Sequence, residues 1–330
     1  MRKIIFILVF FLAIGFIALS FGEIEQTLAT LQRAQLGFIL VAALAQLGFL
    51  LSQTAAYRAL YRLMGIAESL RHLGLVVVAS NFLNVIAPSG GVSGIAIFVD
   101  DARRRDKSPG RTAAAAALYL FLDYAAFLCI LGLGLLVLFR RGNLDAGEIG
   151  ASALLTLICL AIGVLIYIGS HSGEQLGKIL ASLAGFANRV LFPFYRRKYV
   201  REARAYEFAL EIAEGLSILR TEQRGLLIPF TYAFIGKVSQ TLVLMFVFLA
   251  WGIDFSAGTV IAGFAIGYLF LIVSPTPSGI GVVEGVLPLA LVSLRIPWSQ
   301  AVVVTLSYRA LTFWLTLLLG GVSFRVLQKE

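Results

Sequence analysis

The sequence predicts an all-α membrane protein that crosses the bilayer several times. Of its 330 residues, 59% are hydrophobic and 14% are charged, and the mean hydropathy is +0.92. Soluble domains carry about 25% charged residues, so this composition excludes a soluble fold. Two further observations refine the prediction: most apolar runs have the length of a membrane span, and two of them are interrupted by proline and glycine.

Six apolar runs are near or above the length of about 20 residues with which a helix crosses the hydrocarbon core. We expect full spans at 4–21, 36–57, 113–139, 151–170, 226–250 and 300–324. The first run follows Met1-Arg2-Lys3 and also has the features of a signal peptide. We favour a retained span, because the symmetry described below gives this run a counterpart.

Two other apolar regions, 73–99 and 257–294, are broken in the middle. The first contains Pro88-Ser89-Gly90-Gly91, and the second contains the stretch from Pro275 to Gly285. Proline and glycine disrupt a helix, and broken backbone at membrane depth persists only where it is buried in protein or lines a cavity. We therefore expect two re-entrant helical hairpins, with pairs of short spans as the alternative.

The distribution of lysine and arginine orients these segments, because cytoplasmic loops are enriched in both residues. Basic residues precede the first span, follow the second span and the first broken region, and recur in loop 171–225 and near the C-terminus. Both termini are therefore predicted to be cytoplasmic. The two broken regions are predicted to enter the membrane from opposite sides.

This topology divides the chain into two halves of opposite orientation. Residues 1–140 and residues 141–330 each read as span, span, broken hairpin, span. A shift of 189 residues also places Pro88-Ser89-Gly90 on Pro277-Ser278-Gly279. Inverted repeats are typical of secondary transporters, whose substrate sites lie near the midplane where broken helices meet. We therefore predict an inverted repeat with a site between its halves.

Loop 171–225 is predicted to be a cytoplasmic amphipathic insertion in the second half. Its apolar residues recur at spacings of three and four, which is typical of one helical face; they are Ala205, Phe208, Ile212, Leu216 and Leu219. The loop is either an interfacial helix beside an anionic leaflet or a docking surface for a separate lipid-modifying synthase. We assign the net charge of +9 to topology and anionic lipids rather than nucleic acid, because no basic domain stands apart from the spans.

Four ionisable side chains fall inside predicted membrane segments: Asp123, Lys237, Glu284 and Arg309. Each costs several kcal/mol in hydrocarbon unless it is paired or hydrated, so each is a functional candidate. The alternative is that they form ion pairs that determine helix packing. We favour a site for Glu284 and Arg309, because Glu284 directly follows the broken backbone.

The two breaks predict an anion site. After each break the chain should restart as a half-helix whose free N–H groups and positive dipole end point inward, where phosphate or carboxylate binds well. The alternative is that proline and glycine only permit close helix packing. The predicted substrate-binding residues are Asn84, Pro88, Ser89, Gly90, Gly91, Asp123, Lys237, Pro277, Ser278, Gly279, Gly281, Glu284, Tyr308 and Arg309.

No cofactor and no metal ion is expected. His72 and His171 are isolated at span ends, whereas a metal site needs clustered ligands. Cys129 and Cys159 fall in apolar runs and are predicted to be small core residues. The sequence has no phosphate-binding GxxxxGK[ST] loop, and no nucleophile and base at suitable spacing, so we expect a transporter rather than an enzyme.

Two motifs resemble those of a known family. The stretch from Asn84 to Gly94, and the form P-x-P-x-G-x-G-x-x-E from Pro275 to Glu284, are similar to the lysylphosphatidylglycerol synthase transmembrane-region family. This is the flippase-like domain of the multiple peptide resistance factor, also found as stand-alone membrane proteins. The resemblance covers nearly the whole chain and implies a bacterial or archaeal inner-membrane protein that moves a lipid between leaflets.

By the family's motif, functional roles carry over to Pro275, Pro277, Gly279, Gly281 and Glu284. This sequence departs from the family pattern in two places. No soluble aminoacyl-transfer domain follows Glu330, so lipid aminoacylation is not expected. After the first break, Ile95 occupies the position that matches Glu284, where many members carry an acidic residue.

The predicted function is that of a lipid flippase-like transporter. Its substrate would be an anionic or aminoacylated phospholipid, or a polyprenyl- or hopanoid-type lipid. The alternatives are a secondary transporter of a small soluble anion and a membrane scaffold for a separate synthase. Membrane lipids are the expected partners, with a synthase or a second copy of the chain as further possibilities.

Overall fold

A computed structural model describes residues 35–86, 91–195 and 201–327, and all regular structure in these ranges is helical. The predicted span at 4–21 lies outside the described residues. The helices are α1 (Leu36–Leu63), α2 (Leu70–Ile86), α3 (Ile95–Arg104), α4 (Pro109–Arg141), α5 (Ala146–His171), α6 (Gly173–Tyr195), α7 (Glu202–Leu216), α8 (Leu227–Ala250), α9 (Ala257–Val273), α10 (Val282–Ser293), α11 (Trp298–Arg309) and α12 (Leu315–Leu327).

Five helical segments of the described chain are long and apolar enough to cross a membrane. They are Leu36–Leu63, Pro109–Arg141, Ala146–His171, Gln223–Ala250 and Trp298–Leu327. The last combines α11 and α12 through a π-helical turn at Ala310–Trp314. These segments confirm five of the six predicted spans, so the chain is a multi-pass membrane protein.

Local capping signals set the connection between α4 and α5. Gly142 adopts a φ of 69° and ends α4, a conformation that costs glycine no steric strain. Asp145 then starts α5, because its carboxylate accepts a hydrogen bond from the N–H of Ala146. Glu148 reaches back to the N–H of Asp145 at 3.2 Å. The two spans are therefore joined by a short, well-capped turn.

The second broken region is a hairpin of two short helices. The helices α9 and α10 have 17 and 12 residues, which gives lengths of about 25 and 18 Å, less than the hydrocarbon core of about 30 Å. Gly263 contacts Leu291 and Gly267 contacts Leu287, so the two helices run antiparallel. The predicted interruption is confirmed, and it spans residues 274–281.

The first broken region has the same form. The helices α2 and α3 have 17 and 10 residues, and contacts of Asn84 with Gly94 and of His72 with Asp101 show that they run antiparallel. Gly91, with a φ of 96°, lies at the end of the break. Pro88, Ser89 and Gly90 were predicted to form it, and they lie outside the described residues.

Helices of the two predicted halves pack against each other in a reciprocal arrangement. The helix α1 runs antiparallel along α8, where Gly48 contacts Ser239 and Ser52 contacts Gly236. The helix α4 packs against α9, and α12 packs against α2. Thus α4, which follows the first broken region, lies against the first helix of the second broken region. In the same way α12, in the span that follows the second broken region, lies against the first helix of the first one.

The apolar core consists of two main clusters. One surrounds Phe127, Phe248 and Phe264 and draws mainly on α4 and α8 to α11, with smaller contributions from α1 and α5. The other surrounds Tyr57 and Phe98 and draws mainly on α1 to α4. A polar cavity takes lining residues from both clusters and is described below.

Loop 171–225 forms the helices α6 and α7 and two short 3₁₀ turns. The predicted apolar face is buried or half-buried. The helix α7 packs against α4, α5 and α6, and Gly110 of α4 touches the backbone of Glu211. Much of this face therefore contacts protein rather than lipid.

Candidate functional site

The described residues that flank the first helix break and those of the second line a common cavity of about 170 Å³ inside the helical bundle. This is space for about six water molecules at roughly 30 Å³ each. Asn84 and Gly91 line it from the first broken region, and Ser274, Thr276 and Ser278 line it from the second. The further polar or aromatic lining residues are Gln46, Phe49, Gln53, Tyr57, Asn81, Tyr119, Asp123, Tyr124, Gln240, Tyr268, Tyr308, Arg309, Thr312, Phe313 and Thr316.

The structure brings most of the predicted site residues to this cavity, but in two layers. The lining includes Asn84, Gly91, Asp123, Ser278, Tyr308 and Arg309. A second layer, in contact with the first, contains Lys237 and Glu284. Pro277, Gly279 and Gly281 belong to the break itself rather than to the lining.

Arg309 joins α11 to the second break. Its Nε donates to Oε1 of Glu284 at 2.6 Å, and its Nη2 donates to the backbone carbonyl of Ser278 at 3.0 Å. The guanidinium also lies over the ring of Phe313, with Cζ 4.7 Å from the ring centroid. Only 4% of the Arg309 side chain is exposed, compared with 21% of the Glu284 side chain. Arg309 is thus a buried cation at the cavity wall.

Glu284 caps the helix that follows the break. Its Oε2 accepts a hydrogen bond from the N–H of Gly281 at 2.8 Å. The expectation that the amide end of α10 is free is therefore wrong for Gly281, because the carboxylate three residues later reaches back to it, as in a capping box. This carboxylate also lies at the positive end of the helix dipole, where negative charge is stabilised.

Asp123 and Lys237 form a second buried ion pair, with Nζ 2.8 Å from Oδ2. Lys237 is fully buried and also donates to the hydroxyl of Tyr268. The hydroxyl of Tyr119 donates to the other oxygen of Asp123 at 3.2 Å. The ionisable groups predicted inside the membrane are thus arranged as two pairs, which supports the packing alternative for Asp123 and Lys237.

Asn84 has at the first break a capping role similar to that of Glu284 at the second, although it is not at the matching position. Its Oδ1 accepts hydrogen bonds from the N–H of Gly94 at 2.6 Å and from the hydroxyl of Ser93 at 2.9 Å. A Cβ atom at Gly94 would lie 2.7 Å from the Asn84 amide nitrogen, so this contact requires glycine. A neutral amide therefore caps the chain where the second break uses a carboxylate.

The prediction missed Gln53 and Tyr57, which both line the cavity, whereas Asn81 was expected there as a secondary candidate. Gln53 and Asn81 form an amide pair, in which Nδ2 of Asn81 donates to Oε1 of Gln53 at 2.8 Å. Tyr57 stacks between Phe98 and Tyr119, with centroid separations of 4.3 Å on each side. Placing a polar amide in the hydrocarbon core costs free energy, so the position of Gln53 within an apolar run was a sequence signal for a functional candidate.

Two buried glutamines also lie at the cavity. The side-chain carbonyl oxygens of Gln46 and Gln240 accept no hydrogen bond from any described residue. Gln46 donates through Nε2 to the hydroxyl of Thr316 at 3.2 Å. The long polar residues of α1 and α8 therefore face the bundle interior, as intramembrane polar groups generally do.

The prediction that His72 is isolated is wrong. Its Nε2 lies 2.9 Å from Oδ1 of Asp101, because the first hairpin brings α3 back beside the start of α2. Glu68 completes a cluster of three ligand-type groups. The Glu68 carboxylate also pairs with Lys107, and it lies 3.6 Å from Nε of Arg105. These cations neutralise the carboxylate, so the cluster acts as an ion-pair network that joins two loops.

This network perturbs the acidity of Glu68. Burial raises the pKa of the Glu68 carboxyl, but hydrogen bonds from Lys107 and the Ser69 N–H, with the charges of Lys107 and Arg105, outweigh burial. The pKa therefore lies below its ordinary value of 4.5. Glu68 consequently stays ionised across the physiological range.

Comparison with known proteins agrees with this architecture. The family model for the lysylphosphatidylglycerol synthase TM region matches residues 4–320, which include every residue that lines the cavity. A UPF0104 membrane protein from Methanothermobacter thermautotrophicus is 22% identical over 304 residues, covering 91% of this chain and 87% of that protein. The similarity therefore extends over both broken regions.

Proposed function

Because the chain belongs to the lysylphosphatidylglycerol synthase transmembrane-region family, we propose that it is a lipid flippase-like transporter. The headgroup of an anionic lipid would occupy the central cavity while its acyl chains stay in the bilayer. The translocated group would be a phosphate ester, as in a phospholipid or a polyprenyl phosphate. No reaction step is required of the protein, so we infer a transporter rather than an enzyme.

A single observation carries the proposal: a buried guanidinium faces a polar cavity that is lined by the second helix break and by the described flanks of the first. A charge inside the membrane is retained where it serves a binding or transport path. Arg309 shares the cavity lining with Ser274, Thr276 and Ser278, which carry hydroxyl groups. A guanidinium with nearby hydroxyl donors is well suited to phosphate.

We further propose that residues 1–140 and 141–330 form an inverted repeat of six full spans and two re-entrant hairpins, with 4–21 as the first span. The reciprocal packing of α4 on α9 and of α12 on α2 supports this symmetry. So does the cavity lining, which uses the same four positions of the equivalent spans, 189 residues apart. These positions are Tyr119, Leu120, Asp123 and Tyr124 in α4, and Tyr308, Arg309, Thr312 and Phe313 in the last span.

Reconstituted liposomes test this function. The purified protein should move fluorescently labelled phosphatidylglycerol between leaflets faster than protein-free liposomes do. Arg309→Gln should reduce the rate about tenfold or more, since hydrogen bonds to a charged group contribute about 1.5–3 kcal/mol. Arg141→Gln is the matched control, because Arg141 bonds to Ser256 and Thr259 away from the cavity. Equal rates with and without protein, across a panel of anionic lipids, would exclude a flippase.

A transporter of a small soluble anion is the second candidate. The size of the cavity favours it, because about 170 Å³ accommodates a phosphate-sized group without chains. The two functions differ in what crosses the membrane. Uptake of labelled phosphate or glycerol phosphate into proteoliposomes, with no movement of labelled lipid, would select the soluble anion.

A further inference from the structure

Glu284 occupies the position that an external anion would take. Its two oxygens accept hydrogen bonds from Nε of Arg309 at 2.6 Å and from the N–H of Gly281 at 2.8 Å. A cationic guanidinium and a helix N-terminal amide are the donors with which proteins bind phosphate. We propose that Glu284 is a tethered anion, and that a phosphate ester displaces it from Arg309 when Glu284 takes up a proton. The identity of this ligand as a lipid rests on the proposed function above.

The charge balance of the cavity requires the proton. Glu284 neutralises Arg309, and Asp123 neutralises Lys237, so these two pairs sum to zero. A phosphodiester brought beside two intact pairs would add an uncompensated negative charge to a site of low dielectric constant, which is strongly unfavourable. One proton on Glu284 restores neutrality, because the phosphodiester then replaces the carboxylate as the counterion of Arg309.

The charged groups around Glu284 limit the alternatives. The helix α10 packs mainly against α9 and α11. Within these three helices, Glu284 and Arg309 are the only charged side chains, and Tyr268 and Tyr308 are the other titratable ones. Tyr268 already contacts the Asp123–Lys237 pair. Arg309 is therefore the charge that responds when Glu284 changes its protonation state.

The local geometry allows the exchange. Glu284 is the more exposed partner of the pair, with 21% of its side chain accessible, so a proton can reach it. Arg309 faces the cavity, so its remaining N–H groups can meet an incoming anion. A protonated Glu284 keeps a carbonyl oxygen that can still accept from the N–H of Gly281. The helix cap therefore survives when the ion pair opens.

The exchange involves proton transfer and hydrogen bonds only. The Glu284 carboxylate gains one proton from water and its hydrogen bond to Arg309 breaks. A hydrogen-bonded pair between Arg309 and the phosphodiester oxygen forms in its place. One proton is taken up for each ligand bound, which makes affinity depend on pH and offers a route for coupling transport to a proton gradient.

Binding at several pH values tests the exchange separately from transport. Dioleoyl-phosphatidylglycerol is titrated into the full-length protein in a neutral detergent between about pH 5.5 and about pH 8.5, where its phosphodiester stays singly charged. The dissociation constant of the wild type should rise by up to about tenfold per pH unit. Glu284→Gln should bind with no pH dependence, and at the upper pH at least about tenfold more tightly than the wild type. Arg309→Gln should bind weakly throughout.

Glu214→Gln is the matched control, because it makes the same change in an exposed ion pair with Arg111 that does not line the cavity, and it should retain the wild-type ratio of affinities between low and high pH. The exchange is wrong if Glu284→Gln keeps the wild-type pH dependence, or if the wild type binds the lipid equally at every pH.

A second arm of the experiment uses the soluble headgroup glycerophosphoglycerol. If binding of the headgroup depends on pH but no lipid moves in liposomes, the exchange is supported and the flippase function is rejected. If lipid moves but binding does not depend on pH, the flippase function is supported and the exchange is rejected.

Discussion

At the scale of the residue, the described part of the membrane domain balances each of its buried charges with a partner. Lys237 is fully buried and is balanced by Asp123, and Arg309 is balanced by Glu284. The desolvation of such ions is costly, and a pair offsets this cost only when its hydrogen bonds are complete. Tyr119 and Tyr268 complete those of Asp123. The stability of the bundle therefore depends on both members of each pair.

Removing one member of the Asp123–Lys237 pair should destabilise the protein strongly. We expect Lys237→Met or Asp123→Leu alone to cost about 3–5 kcal/mol, because each leaves a buried charge uncompensated. The double variant should recover most of this loss, because both charges are then absent. Thermal unfolding of the four proteins in detergent measures the coupling. Strictly additive losses would show that the pair contributes nothing as a pair.

The Glu68 network makes a residue-scale prediction about pH. The folded-state pKa of Glu68 lies below its ordinary value of 4.5, so ionised Glu68 stabilises the fold above that pH. This contribution is lost as the pH falls through the folded-state pKa. The difference in unfolding temperature between the wild type and Glu68→Gln should therefore be largest near about pH 7 and shrink below about pH 4. A constant difference would contradict the assignment.

At the scale of the element, close helix approach is set by particular glycines. A Cβ atom on Gly134 of α4 would lie 2.5 Å from Cβ of Ala265 in α9, whereas a Cβ atom on Gly132 meets nothing within 4 Å. Small residues at helix crossings are the usual device for close packing in membranes. The last span has a different irregularity, a π-helical turn at Ala310–Trp314 directly after Arg309. Such turns recur at functional sites, and this one places Phe313 and Thr312 in the cavity wall.

The crossing of α4 and α9 can be tested with two substitutions in one helix. Gly134→Ala should destabilise the protein by about 1–3 kcal/mol, because the added methyl group overpacks the contact with Ala265. Gly132→Ala should be neutral or slightly stabilising, since alanine favours a helix and the site is open. Unfolding temperatures in the same detergent compare the two variants. Equal effects would mean that α4 and α9 do not meet at Gly134.

At the scale of the whole molecule, the two hairpins define the topology. Both are antiparallel pairs of short helices, and each packs against the span that follows the other. Such hairpins return to the side from which they enter. An inverted repeat would place the ends of the first hairpin inside the cell and those of the second hairpin outside.

Labelling of single cysteines tests this topology in intact cells. After Cys129 and Cys159 are replaced by alanine, Ser69→Cys and Arg103→Cys should be protected from a membrane-impermeant maleimide until the cells are opened. Asp254→Cys and Ser293→Cys should react at once, and all four positions are exposed. Opposite sidedness of the two ends of either hairpin would contradict the topology, because two antiparallel arms return the chain to the side from which it enters.

Much of the fold followed from local rules. The lengths of apolar runs predicted the spans that the structure describes, and proline and glycine predicted the interruption at 274–281. The cap that Glu284 forms with Gly281 could also have been predicted, because a carboxylate three residues after the N-cap is a local sequence signal for a helix start. The neutral cap by Asn84 was harder to specify, since Gly94 lies ten residues away.

The sequence by itself determined which segments are helical, where they break and which charges must find partners, because helix geometry, hydrocarbon thickness and desolvation act on neighbouring residues. Only the tertiary structure decided that Asp123 meets Lys237, that His72 meets Asp101, and that Arg309 faces the cavity with Glu284 behind it. These choices depend on which helices pack together and with what rotation. Such packing is a property of the whole bundle, so no single segment of the chain encodes it.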